Sequence, residues 1–185
     1  MSNFIYVVPN SEKIYNLMSE KLKTNYQAQS IDIFFDIEEI ILLGYMNSID
    51  DFMYAMPLGF RTYAPEGADM ILIPRSSSGN PLKLSPTLDD PPYLEKIKNQ
   101  GIEMYDNSSL QLANTIGYID WDYRNDWKAL VRASRDILIT GKKAFLQAVP
   151  VEPHLYKFKL VRSLDEVPSY LRDTSRGEKG FGSSG

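Results

Sequence analysis

Short runs of β-branched and aromatic residues, cut off by Gly, Pro, Asn and Asp, recur along most of this chain, and that punctuation restricts it to a sheet fold. The runs fall at 4–8, 31–35, 39–43, 70–73, 110–113, 127–131, 144–149 and 156–161. In Tyr156-Lys157-Phe158-Lys159-Leu160 apolar and polar residues alternate, the mark of a strand with one buried face. Many short strands at this spacing predict an all-β sandwich or barrel. One stretch departs from the pattern. Ile14, Leu17, Met18 and Leu22 recur at helical spacing behind a capping Ser11, which predicts a short helix in a lead-in at 10–24, packed on the sheets. With 185 residues and 43% hydrophobic content the chain suits about one domain with a real core.

Two stretches read differently. Pro81, Pro86, Pro91 and Pro92, with Asp89 and Asp90, mark 81–108 as a long surface insertion with a short helical segment at 93–99. The end of the chain, 172–185, is polar and carries Gly177, Gly180, Gly182 and Gly185. It cannot bury a core alone, so it is either disordered or an arm that orders on something else.

Composition narrows the chemistry. Without cysteine there is no disulfide, thiolate zinc site, iron–sulfur cluster or thiol nucleophile, and the lone His154 excludes a multi-histidine metal site. A net charge of −4 does not favour nucleic acid as a partner. The longest apolar stretch, 40–46, is far short of the ~20 residues of a membrane span, so no membrane partner is expected either. Met1-Ser2-Asn3-Phe4 offers no positive region ahead of an apolar run. The expectation is an intracellular protein, in cytoplasm or nucleus, that is not secreted.

Carboxylates, hydroxyls, amides, Arg and backbone must then do the work, and three stretches concentrate them. Pro74-Arg75-Ser76-Ser77-Ser78 follows an apolar strand, and Arg beside hydroxyls suits phosphate, although a solvated turn reads the same way. Asn114, Gly117, Ile119, Asp120, Asp122, Tyr123 and Arg124 form a hairpin with polar residues at its mouth. Asp120 there pairs a candidate general base with the ring of Tyr123, or is an ordinary turn aspartate beside a core tyrosine. Arg176-Gly177-Glu178-Lys179-Gly180-Phe181-Gly182-Ser183-Ser184-Gly185 combines glycines that let backbone N–H groups curl around anions with an aromatic plate, or is a frayed linker.

Taken together and in order, these stretches resemble the motifs of the trimeric dUTP diphosphatase (dUTPase) family. Pro65-Glu66-Gly67 and Pro74-Arg75-Ser76-Ser77 resemble the second motif, the Asn114–Arg124 stretch the third, Ala144-Phe145-Leu146-Gln147 the fourth and the 176–185 tail the fifth. In the first, Ala28-Gln29-Ser30-Ile31-Asp32-Ile33, the aspartate is kept but Ser30 stands where the family has Gly. The lead-in and the insertion are similar to longer members from large DNA viruses.

The resemblance implies a jelly-roll-like β-barrel domain over 1–171, a flexible arm at 172–185, and a homotrimer in which two further copies complete each active site. It implies hydrolysis of dUTP to dUMP and pyrophosphate with Mg²⁺. Asp120 would act as base; unperturbed Asp is ionised at neutral pH. Asn114, Gly117 and Ile119 would line the uracil pocket of the hairpin, and Tyr123 would exclude a 2′-hydroxyl. Arg75, Ser76, Ser77 and Gln147 would hold the phosphates. Arg176, Phe181, Gly182, Ser183 and Ser184 would close over the nucleotide. Asp32 would touch the metal only through water, or serve structure.

The departures are specific. Asn125-Asp126 replace the family's Gly-Glu; Asn tolerates the left-handed backbone that Gly would supply, so the turn is expected to survive. Lys142-Lys143 stand slightly upstream of the usual motif-four Arg. A dCTP deaminase requires a glutamate that the 127–132 strand lacks. A non-catalytic dUTP-binding regulator and a plain β interaction module are the remaining alternatives.

Overall fold

Ser11 starts the α-helix that the spacing predicts. In the computed structural model, which describes residues 3–24, 29–42, 53–75, 110–133 and 137–175, the Ser11 hydroxyl accepts the Ile14 N–H at 3.3 Å and helix α1 runs over Glu12–Thr24. Glu12 in its first turn suits the positive helix end. Ile14 and Met18 are fully buried, with Leu17 and Leu22 packed beside them, so one apolar stripe faces the sheets.

The strands are β1 (Phe4–Pro9), β2 (Ile31–Phe34), β3 (Glu39–Leu42), β4 (Tyr54–Pro57), β5 (Phe60–Tyr63), β6 (Met70–Pro74), β7 (Leu110–Leu112), β8 (Gly117–Ile119), β9 (Lys128–Ala133), β10 (Ile137–Thr140), β11 (Ala144–Pro150) and β12 (Lys157–Leu160). They pair as β12-β1-β5, β10-β3, β2-β11-β6-β8 and β4-β9-β7. All pairings are antiparallel except β1 with β12.

This corrects the expected barrel. The fold is all-β and sheet-rich with one short helix, but among the described residues no sheet closes on itself. Closure needs a continuous ladder with matched tilt and stagger. Here Pro57, Pro74 and Pro150 end strands, removing a backbone donor at each, and the β11–β2 register shifts between Ala144 and Leu146. What unites the sheets is a common core. Ile5, Ile33, Leu42, Phe60, Leu72, Trp127 and Val131 belong to one buried cluster drawn from all four.

Trp127 anchors that core. Its ring lies 4.9 Å from the Phe60 ring, and its indole N–H donates to the Thr62 hydroxyl at 3.1 Å, so its polar atom is satisfied where it is buried. Along β4 and β5 the signal is blurred by Ala55, Met56 and Pro57. Gly59 between these strands has φ of +70°, and a Cβ there would strike the Asp36 side chain. The insertion at 81–108 lies outside the described residues, as does the arm beyond Ser175. No helix among the described residues is long and apolar enough to cross a membrane.

Candidate active site

The β2-β11-β6-β8 sheet carries most of the candidate residues, and its alternation sorts them. Ile31, Ile33, Leu146, Ala148, Met70 and Leu72 are buried on one face. Asp32, Gln147 and Ile73 stand directly opposite one another in register and are half-buried on the other. Arg75, two residues beyond Ile73, is directed over β11 onto the same face. Its Nη1 donates to Asp32 Oδ2 at 2.7 Å, and its backbone N–H donates to the Phe145 carbonyl at 3.0 Å. That carbonyl belongs to the residue at the β11 register shift, so the irregular strand positions the arginine backbone. Asp32, Arg75 and Gln147 are thus one polar group on one sheet face.

The hairpin residues lie further along. Asn114 and Thr115 are exposed in the turn between β7 and β8, and Thr115 has φ of +64°, rare for a β-branched residue. The Ile116 N–H donates to the Asn114 carbonyl at 2.6 Å, so the turn is very tight. Gly117 opens β8, buried against β6. A Cβ there would lie 3.1 Å from the Leu72 Cβ, which accounts for the glycine by packing. Ile119, half-buried, packs on the common core.

Asp120 follows β8, half-buried, at the mouth of a turn closed by the Tyr123 N–H donating to the Asp120 carbonyl at 3.2 Å. Asp69 fixes that turn: its carboxylate accepts the Trp121 N–H at 2.8 Å and the Tyr118 hydroxyl at 2.7 Å. The Tyr123 ring packs against the core and its hydroxyl donates to the Asp126 carbonyl at 3.3 Å. Burial, with a smaller push from Asp126 against the pull of Arg61, holds its phenol above the usual range.

The turn forms without Asn125 using the left-handed backbone that Asn tolerates. The Asn125 side-chain carbonyl accepts the Asp126 N–H at 2.7 Å, and Asp126 accepts from Arg61 Nε at 2.6 Å.

The register separates two groups. Met70 faces Ile119 and Leu72 faces Gly117, so Asp120 lies beyond one end of the ladder, level with Asp69, while Arg75 lies beyond the other. Six residues of strand at ~3.3 Å each put them about 20 Å apart. One chain brings Asp32, Arg75 and Gln147 together, and brings Asp120 and Tyr123 together, but keeps the two sets apart. Ser76, Ser77, Arg176, Phe181, Gly182, Ser183 and Ser184 lie outside the described residues. Sequence reasoning missed Asp69, whose only signal is its place just ahead of the β6 run.

Among the described residues no group of three or more His, Asp or Glu side chains could hold a metal ion, and Asp32 is engaged with Arg75. The described residues therefore do not form a Mg²⁺ cage.

No family model matches the chain. A deoxyuridine 5′-triphosphate nucleotidohydrolase of Orientia tsutsugamushi (strain Ikeda) is 29% identical over 129 residues, 69% of this chain and 81% of that one. Among solved structures, a mutant dUTPase from phage phi11 of S. aureus, described with a structural Mg(II) ion, superposes with a TM-score of 0.51. The two are 14% identical over 89% of this chain and 99% of that one. The dUTPase of Staphylococcus bacteriophage 80alpha, solved with dUpNHpp, gives 0.49 at 18% identity over 100% and 99% of the two chains. The sequence likeness to the Orientia enzyme supports a distant, family-level relationship to the dUTPase superfamily, and the phi11 structure shows a similar fold.

Proposed function

We propose that this chain hydrolyses dUTP to dUMP and pyrophosphate. A water molecule attacks the α-phosphorus, its proton passes to the Asp120 carboxylate, and the bond to the bridging oxygen breaks so that pyrophosphate leaves. Tyr123 packs against the deoxyribose and leaves no space for a 2′-hydroxyl. Asn114, Gly117 and Ile119 line the uracil pocket, where a cytosine edge would leave polar groups mispaired. Arg75, Ser76, Ser77 and Gln147 bind the phosphates, and Arg176, Phe181, Gly182, Ser183 and Ser184 close over the nucleotide. Asp32 would reach a Mg²⁺ ion at most through water, and the ion would supply positive charge to offset that of the triphosphate.

The observation that carries the reading is the turn after β8: Asp120 at its mouth, Tyr123 closing it by a backbone hydrogen bond, and Asp69 bracing it. The distant dUTPase relationship supports a hydrolytic activity of this kind. The ~20 Å of backbone between Arg75 and Asp120 favours sites shared between copies, as in a homotrimer, over one chain spanning that distance to serve a single substrate.

The test is pyrophosphate release from dUTP against dCTP, dTTP and UTP, with Asp120→Asn as control. Turnover of dUTP alone, lost in that variant while dUTP binding remains, is expected. Ammonia release from dCTP would replace this reading with a deaminase, and dUTP binding without turnover by the unaltered protein would replace it with a regulator.

A further inference from the structure

Arg124 is buried to 4% exposure, an unusual place for a guanidinium, and it performs no step of the proposed reaction. Its Nη1 donates to the carbonyls of Trp121 at 2.7 Å and Tyr123 at 3.2 Å, and its Nε to the Leu171 carbonyl at 3.0 Å. The carbonyl between them, that of Asp122, accepts the Thr174 hydroxyl at 2.7 Å. Three consecutive carbonyls of the turn that carries Asp120 and Tyr123 are therefore all held: that of Asp122 directly from the chain's C-terminal stretch, and those of Trp121 and Tyr123 by Arg124, which is itself tied to that stretch through Leu171. The guanidinium also lies 5.3 Å from the Tyr63 ring centroid, which offsets part of its burial.

That stretch, 161–175, is itself firmly seated. Val161, Val167 and Leu171 bury with Tyr6 and Tyr63 in a cluster separate from the main core. Glu166 Oε1 accepts the N–H groups of Arg162 and Ser163 at 2.7 and 3.2 Å. Arg172 Nε donates to the Val167 carbonyl at 2.9 Å. Arg162 holds both carboxylate oxygens of Glu12 on α1, at 2.8 and 2.9 Å. A strap so tied has a fixed geometry to pass on.

We propose that residues 161–175 form a positioning strap for the catalytic turn, with Arg124 and Thr174 as the positioning residues that transmit it. The inference rests on the reading of Asp120 and Tyr123 as site residues. A turn held by all three carbonyls keeps the Asp120 carboxylate aimed at the water. A turn released from the strap still binds nucleotide through the phosphate group of residues but orients the base less well. The role belongs to positioning rather than catalysis, so the chemical step suffers more than affinity, to which the turn contributes through Tyr123 alone.

Thr174→Val keeps the shape and removes the donor, and Thr174→Ser restores it. Hydrogen exchange, read by mass spectrometry on the 117–126 peptide, is compared with exchange in β9 and β11, alongside steady-state kinetics. In Thr174→Val, exchange at 117–126 is expected to quicken while β9 and β11 stay unchanged. Its kcat for dUTP is expected to fall about three- to tenfold, the range for one hydrogen bond, with KM within about twofold. Thr174→Ser is expected to recover both. Arg124→Lys, which cannot fork to three carbonyls, is expected to act in the same direction. Unaltered exchange at 117–126 in Thr174→Val overturns the strap whatever the kinetics do. Quickened exchange with full kcat overturns its role in positioning. If the unaltered protein does not turn over dUTP, the functional reading fails by itself, and the exchange experiment still decides whether the strap holds the turn.

Discussion

Arg75 reaches across the full width of strand β11 to set its Nη1 2.7 Å from Asp32 Oδ2. The pair is half-buried, with 32% and 18% of the side chains exposed, so water screens it and its direct worth to folding is about 1 kcal/mol or less. Its worth to function is orientation, since a guanidinium held in one place meets a phosphate at lower entropic cost. Asp32→Ala is expected to raise KM for dUTP about three- to tenfold with a smaller change in kcat. The Mg²⁺ concentration for half-maximal rate should stay the same. An increased Mg²⁺ requirement would return Asp32 to a metal-linked role.

Gly141 offers a test of the fold that does not touch the site. It sits in the turn between β10 and β11, and its N–H donates to the Glu38 carbonyl at 3.1 Å. A Cβ there would collide with the backbone carbonyl oxygens of Ile37 and Phe35, neither of which can swing aside. Gly141→Ala is expected to lower the stability by about 2–3 kcal/mol in urea unfolding. Gly67→Ala, where nothing stands within 4 Å, separates the two causes, since only its φ of +77° opposes a side chain. It should cost about 1 kcal/mol. Equal losses at both positions would count against the close approach at Gly141.

These particulars show what sequence pattern transmits. The helix was legible because Ser11, Ile14 and Met18 report a period that only one local structure satisfies. Strands β2, β6 and β11 were legible because their alternation reflects a buried face. That the sheets stay open rather than close into the expected barrel was not, since alternation says which side of a strand is buried but nothing about which strand lies beside it. β4 and β5 were hidden by Ala55, Met56 and Gly59, whose choice answers to core shape and a turn rather than to strand preference. That Asp120 and Tyr123 share one turn was legible because they lie three residues apart. The Asp32–Arg75 pair, the brace from Asp69 and the links from Arg124 and Thr174 to the strap join residues far apart in sequence. Only the folded chain brings them together.

The Tyr123 phenol gives a pH prediction. Burial holds it above the ordinary value, so on raising the pH the unfolded chain gives up its proton first. Its contribution to stability is fully present below about pH 10 and is lost as the pH climbs through the folded value. Urea midpoints at pH 8 and 10.5 are expected to fall less in Tyr123→Phe than in the unaltered protein. Because Tyr123 is only half-buried, the difference should be well below the ~1.4 kcal/mol per pH unit of a whole proton. Parallel falls would assign the alkaline loss to other groups.

The separation of Arg75 from Asp120 makes the sharpest prediction, because it concerns which chain supplies which group. Arg75→Ala and Asp120→Asn should each abolish most turnover of dUTP when present alone. If both groups of a site came from one chain, a mixture of the two variants would contain no intact site, however the copies assembled. If a site draws Arg75 from one copy and Asp120 from another, random assortment of equal amounts gives an intact Arg75 in about half the cases. An intact Asp120 from the neighbour follows in about half of those, so about one quarter of the sites recover. Refolding the mixed variants together should therefore restore roughly a quarter of the unaltered rate, and mixing without unfolding should restore less if the copies exchange slowly. Turnover that stays at background after co-refolding, with assembly intact by light scattering, would require each chain to carry its own complete site. That outcome contradicts the ~20 Å that the β6–β8 register puts between these two residues.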